Sequence, residues 1–255
     1  MNTETFKQTC KRKTMDTSKS YGFSRKEDIV QLEALEKRLQ ENPNDTDALL
    51  KKGILYYEPF LRTDESIAIF RSIIAKDPQN IDAYFWLAKC TWHYQCDFLE
   101  AERLLRIALT IDPNRADCHS LLAVILPDII EIHFRKAIEL EPTWIEPRRC
   151  FAYHLFKEGE FAKAKDEATE ALKYIINTND SPEIGDVIIY HYETFVTGRY
   201  NPKKVKAELL DFLKKIDAAI EQEKIARKQR DLAWEQKKIA QKQTENVAET
   251  AKKNK

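Results

Sequence analysis

The sequence predicts an all-α chain in which helical hairpins stack into a solenoid and end on one long helix. Three observations lead there. Only 5 glycines and 9 prolines are spread over 255 residues, too little punctuation for the many turns of an all-β protein. Short proline-containing segments recur with prolines 35, 35 and 29 residues apart. Between them apolar side chains fall at i, i+3 and i+4, the signature of one helical face.

The recurring segments are Glu41-Asn42-Pro43-Asn44, Lys76-Asp77-Pro78-Gln79, Ile111-Asp112-Pro113-Asn114 and Leu140-Glu141-Pro142-Thr143. Proline cannot donate the next helical hydrogen bond and biases its predecessor toward extended geometry, so each segment marks a helix end. Ahead of three stops the chain reads alike: Asp64-Glu65-Ser66-Ile67-Ala68-Ile69-Phe70, then Leu99-Glu100-Ala101-Glu102-Arg103-Leu104-Leu105, then Phe134-Arg135-Lys136-Ala137-Ile138. After each stop a second helix carries a small residue, Gly53, Ala88, Ala123 or Ala152, where two helices cross closely. Helix-turn-helix units stacked at this period make a solenoid.

These four stops and small crossing residues resemble the tetratricopeptide repeat family, over roughly residues 27–176. Glu158-Gly159-Glu160-Phe161-Ala162-Lys163-Ala164 opens the cleanest match. The resemblance implies a right-handed helical-hairpin solenoid, a superhelix of that family's type, here followed by a long C-terminal helix. The solenoid is expected over 26–178, with helix pairs near 46–78, 81–113, 116–142 and 145–176. The units after Pro43 and Pro78 have one extra residue, expected in the turn between their helices. The unit between Pro113 and Pro142 is short, and Leu126 is expected to end one helix with Pro127 opening the next, which would kink the solenoid.

Outside the repeats, 1–25 is expected to be a disordered basic tail, and 183–220 a degenerate capping helix pair beginning with a helix over Ile184–Gly198. Val187-Ile188-Ile189-Tyr190 reads as strand in isolation, and solenoid context favours helix. From Pro202 onward there is no Pro or Gly. Leu209, Leu213, Ile216 and Ile220 form an apolar stripe that should pack on the last repeat, and 221–255 extends the same charged helix. There Ile225, Leu232 and Ile239 form a seam at seven-residue spacing, with glutamine four residues after each. One apolar residue per heptad makes a weak coiled coil. The seam and Trp234, on another face, are a candidate second interface for weak homo-oligomerisation or docking, beside the plainer reading of a solvated tail.

The chain holds 42 basic and 42 acidic residues, distributed as 6 and 2 over 1–25, 21 and 31 over 26–200, and 15 and 9 over 201–255. A neutral total gives no general pull toward nucleic acid, which is not indicated as a partner. No apolar run is long enough for membrane insertion. Five scattered cysteines, Cys10, Cys90, Cys96, Cys118 and Cys150, need no disulfide framework and predict reduced thiols in a cytoplasmic protein. No phosphate loop, dinucleotide fingerprint, metalloprotease helix or nucleophile elbow occurs, so no catalytic residue, cofactor or metal is assigned. Cys90, His93 and Cys96 on one helix, with Cys118 and His119 on the next unit's, have soft-ligand chemistry; their spacing fans them over several directions, and buried thiols explain them better.

In the family resembled, the first helix of each unit lines a concave groove that binds peptides or helices. The corresponding face here offers Tyr57, Phe85, Lys89, Trp92, Arg149, Tyr153 and Phe156, and aromatic area of this kind suits an apolar peptide or helix of another protein. The resemblance thus implies a non-enzymatic adaptor, scaffold or chaperone. Family members that grip a C-terminal carboxylate use paired Lys and Asn where this chain has Leu50, Ile54 and Phe85, which speaks against that mode. One alternative is an assembly protein whose basic C-terminal helix mediates oligomerisation or autoinhibition by docking on the acidic repeats. Another is a regulator, immunity factor or secretion chaperone of an enzyme or toxin.

Overall fold

The computed structural model describes residues 26–58, 60–126, 129–177, 189–190, 195–196 and 202–253. The expected tail over 1–25 and the placement of Pro127 lie outside those residues. The chain divides into two compact units, Met1–Pro147 and Arg148–Lys255.

The first unit holds α1 (Lys26–Glu41), α2 (Thr46–Tyr57), α3 (Thr63–Lys76), α4 (Ile81–Gln95), α5 (Phe98–Ile111), α6 (Ala116–Ile125) and α7 (Ile130–Leu140), and α8 (Ile145–Lys157) starts at its end. From α1 to α7 each helix packs on the next, except that between hairpins α2 also meets α4, and α4 meets α6. The first helices of successive hairpins therefore form one layer, which is what stacked repeats require.

The joints between hairpins are built from the recurring segments. The Asn42, Asp77 and Asp112 N–H groups close α1, α3 and α5 by donating to the carbonyls of Arg38, Ile73 and Ala108 at 2.8, 2.8 and 3.0 Å. Their side-chain oxygens then accept the N–H of Asn44, Gln79 and Asn114 at 3.1, 3.1 and 2.9 Å. Such a short polar side chain mimics a backbone turn around the intervening proline. Asp45 and Asn80 then cap α2 and α4, accepting from the Ala48 and Ala83 N–H groups at 3.0 Å, satisfying donors the helix itself cannot.

Within hairpins the crossings are tight. A Cβ on Gly53 would stand 2.7 Å from Cε1 of Phe70, and the Ser66 hydroxyl donates to the Gly53 carbonyl at 2.8 Å. Ala88 and Ala123 are fully buried at the equivalent places. The turns contain left-handed residues at matching positions, Leu61 (φ 53°), Cys96 (φ 52°) and, in the second unit, Gly159 (φ 81°). The extra residue expected in the turn after Pro78 goes elsewhere: α4 spans 15 residues, leaving only Cys96 and Asp97 before Phe98. Cys96 is thus the left-handed cap of α4 and not, as expected, a third ligand-type residue on its helical face. The short unit keeps two helices of 10 and 11 residues, with Leu126 capping α6.

The second unit contains the rest of α8, α9 (Phe161–Asn177), the two-residue strands β1 (Ile189–Tyr190) and β2 (Phe195–Val196), and α10 (Pro202–Lys253). The strands pair antiparallel, Ile189 opposite Val196 and Tyr190 opposite Phe195. Ile189–Tyr190 and Phe195–Val196 are thus strand where a helix was expected over Ile184–Gly198, and the other residues of that range lie outside those described. Among the described residues the architecture is otherwise all-α. The expected capping helix and the charged extension are one 52-residue helix, opened by Pro202 at a position that needs no N–H donor. Ala164, Ala168, Ala171 and Ile175 on α9 and Val205, Leu209 and Ile216 on α10 are buried, and α9 packs on α10.

Candidate interaction surface

The aromatic residues expected to line a groove occupy two separate settings, one in each unit. In the first unit Tyr57, Trp92 and Lys89 are only 1%, 2% and 3% exposed. They form the floor rather than the wall of any surface. Phe85 is half-buried, and so is its neighbour Trp86, which the sequence reading passed over. The two rings meet edge to face with centroids 5.5 Å apart. Trp86 also stacks on Phe70 at 6.5 Å and meets the edge of Tyr57 at 5.9 Å.

The Lys89 ammonium lies at the centre of this cluster, 4.3 Å from the Trp86 ring centroid, 5.5 Å from Tyr57 and 5.7 Å from Phe85. Ring faces carry negative potential, and this attraction helps a lysine remain inside. Trp86 was legible in principle: it lies three residues before Lys89 on one helix, a spacing that brings side chains together.

Behind the rings, Tyr57 Oη and His93 Nδ1 are 2.8 Å apart, and the His93 ring lies tilted against Tyr94 with centroids 4.5 Å apart. Burial, assisted by the Lys89 charge, pushes the His93 pKa down to about 4. Burial likewise pushes the Cys90 thiol up to about 12, against the pull of the Ser66 hydroxyl 3.7 Å away. Cys90 is therefore an inert core thiol, since reactivity belongs to the thiolate. Cys118 is buried too, and its thiol is raised for the same reason. Among the described residues no group of three or more His, Cys, Asp or Glu is placed to hold a metal.

At the short hairpin, His119 and His133 face each other with Nδ1 atoms 2.9 Å apart, and His119 Nε2 lies 3.0 Å from the Pro113 carbonyl. That carbonyl can only accept, so Nε2 of His119 donates and its Nδ1 accepts from His133. Burial and then the neighbouring His119 lower the His133 pKa. Nearby, Arg115 bridges the openings of α4 and α6, reaching Asp82 at 2.8 Å and Asp117 at 2.6 Å.

In the second unit the remaining groove candidates are covered by the chain itself. Tyr153 and Phe156 lie 5.8 and 5.4 Å from Phe212 of α10, and Arg149 approaches Glu208 of α10 at 3.9 Å. The residues that make these contacts, Phe212 and Glu208, lie outside the predicted stripe, of which Leu209 and Ile216 are buried. Further along α10, Ile225, Leu232, Trp234 and Ile239 are 50%, 54%, 62% and 56% exposed, and Lys238 lies over the Trp234 ring at 5.0 Å. Among the described residues no helix is long and apolar enough to cross a membrane.

Stacked hairpins with the first helices in one layer, small residues at their crossings and polar clasps at three joints define a helical-hairpin repeat protein. Residues 62–125 match the family described as tetratricopeptide repeat. Among curated proteins none matches the chain. Among solved structures it is similar to TTC0263, a thermophilic tetratricopeptide protein of Thermus thermophilus, with a TM-score of 0.52 at 20% identity, covering 56% of this chain and 80% of that one. MamA of Desulfovibrio magneticus RS-1 matches with a TM-score of 0.47 at 16% identity, covering 70% of this chain and 96% of that one. The likeness to TTC0263 is one of fold. Tetratricopeptide folds are protein-interaction scaffolds and typically not enzymes.

Proposed function

We propose that this chain is a non-enzymatic cytoplasmic adaptor that binds a peptide or helix segment of another protein on the α4 face presenting Phe85 and Trp86. The observation supporting this reading is a pair of accessible rings, Phe85 and Trp86, with Trp86 backed by buried Tyr57 and Phe70. Rings held by other rings are pre-organised, so a partner's apolar side chains meet them with little ordering cost. Of the seven residues expected on the groove, Tyr57 and Lys89 support the rings from beneath, Trp92 is buried, and Tyr153 and Phe156 pack against α10.

The test is affinity capture from cells with the full chain and its Phe85→Ser and Trp86→Ala variants, compared by mass spectrometry. Specific partners should be lost from Phe85→Ser while the melting temperature hardly changes, because Phe85 stands at the edge of the cluster. Retention of every specific partner by both variants would remove this surface as the binding site.

A further inference from the structure

We infer that residues 221–243 of α10 pair with the same segment of a second copy, antiparallel, along the seam of Ile225, Leu232 and Ile239. This interface is independent of the peptide-binding reading and lies on a different element.

The first part of the argument concerns direction. Ile216 is buried in the second unit, and Ile225 follows it by nine residues, about two and a half helical turns. The seam therefore faces away from the surface that α10 uses to dock. That docking face continues instead through Trp234, eighteen residues after Ile216, or about five full turns. No lengthening of the intramolecular contact would cover the seam.

The second part concerns charge. A heptad register that places Ile225, Leu232 and Ile239 at one core position places Gln222, Gln229, Gln236 and Gln243 at the other. One flank of the seam is then Ala226, Ala233 and Ala240. The other flank is Glu221, Lys228, Glu235 and Lys242, alternating in sign. In a parallel pair, charged flanks would face alanine flanks and gain nothing. In an antiparallel pair, like flanks meet. Glu221 then faces Lys242 of the partner subunit, and Lys228 faces Glu235 of the partner subunit, with both pairs repeated by symmetry. The whole row is complementary in that register, a slip of one heptad brings like charges together and a slip of two shortens the overlap, and the alanines on the opposite flank allow the helices to come close.

The core is thin, because each apolar residue meets a glutamine stem: Leu232 lies against Gln229 of the partner subunit. Over 221–243 there are 7 basic and 4 acidic residues, a net 7 − 4 = +3 per helix that opposes association. Arg227, Arg230, Lys237 and Lys238 point away from the seam, where water screens them. The pairing is accordingly weak and reversible.

The full chain should show a monomer–dimer equilibrium in sedimentation, and Leu232→Glu should shift it to monomer. Lys228→Glu or Glu235→Lys alone turns two attractive contacts repulsive and should weaken the dimer about tenfold. Lys228→Glu combined with Glu235→Lys should restore it. These side chains are exposed, so an unchanged far-UV circular dichroism signal checks that each variant folds. A monomer at every concentration, a dimer indifferent to Leu232→Glu, or single swaps without effect would each overturn the inference. So would a seam that takes up only an acidic helix of some other protein.

Discussion

Tyr153 on α8 and Phe212 on α10 stand with ring centroids 5.8 Å apart, and the same Phe212 ring lies 5.4 Å from Phe156. A single aromatic side chain of the C-terminal helix thus covers both rings that the family resemblance implied would line an open groove. Phe212→Ala should destabilise the second unit by about 2 kcal/mol, less than a fully buried ring because Phe212 is half-buried,. Urea denaturation followed by circular dichroism reads this directly. Binding at Phe85 should be unaffected.

The partly buried histidines His93 and His133 make stability fall with acidity. Unfolded His93 takes a proton as pH drops through its ordinary 6.5, whereas the folded residue resists until about 4. Protons therefore favour the unfolded chain across that window; His93's contribution is complete above 6.5 and lost toward 4. His133 is shifted in the same direction and adds to the loss. Between about pH 7 and about pH 5 the loss from His93 alone should be about 2 kcal/mol. Denaturation midpoints at the two pH values check it, and His93→Gln should shrink the difference.

Cys96 occupies the left-handed region that Gly159 occupies in the last hairpin. Side chains other than glycine are strained there. Cys96→Gly should raise the melting temperature, by up to about 1 kcal/mol in stability, and Gly159→Ala should lower it by about as much. Equal effects of opposite sign would show that the two turns are built alike.

Gly53→Ala places a methyl group 2.7 Å from Cε1 of Phe70, well inside van der Waals contact. The hairpin should lose about 1–3 kcal/mol. Phe70→Leu, which withdraws the clashing edge, should make the Gly53→Ala substitution milder than it is alone, a non-additivity readable by a double-mutant cycle.

The helix ends were legible because their cause is local: Asp-Pro or Asn-Pro stops a helix whatever surrounds it. The small residue Gly53 was legible for the same reason, since only close approach selects glycine inside a helix. Burial of the groove residues was not. Periodicity tells which side chains share a face, but not whether that face is open, and Phe212 arrives over Tyr153 from more than fifty residues away. Lys89 was misplaced because a charged residue reads as exposed until the three rings around it are seen together. The strands at Ile189–Tyr190 and Phe195–Val196 follow local propensity rather than the helical context of the solenoid,.

The clasps of Asn42, Asp77 and Asp112 each close between residues two apart in sequence. A joint made so locally does not wait for any remote segment to arrive, and the loop-closure entropy it spends is small. Together with hairpins that pack neighbour on neighbour, this gives the first unit a low contact order, the property associated with rapid folding. Each hairpin can dock on its predecessor as it emerges during synthesis, so assembly can proceed from Asn42 toward Asp112 in chain order.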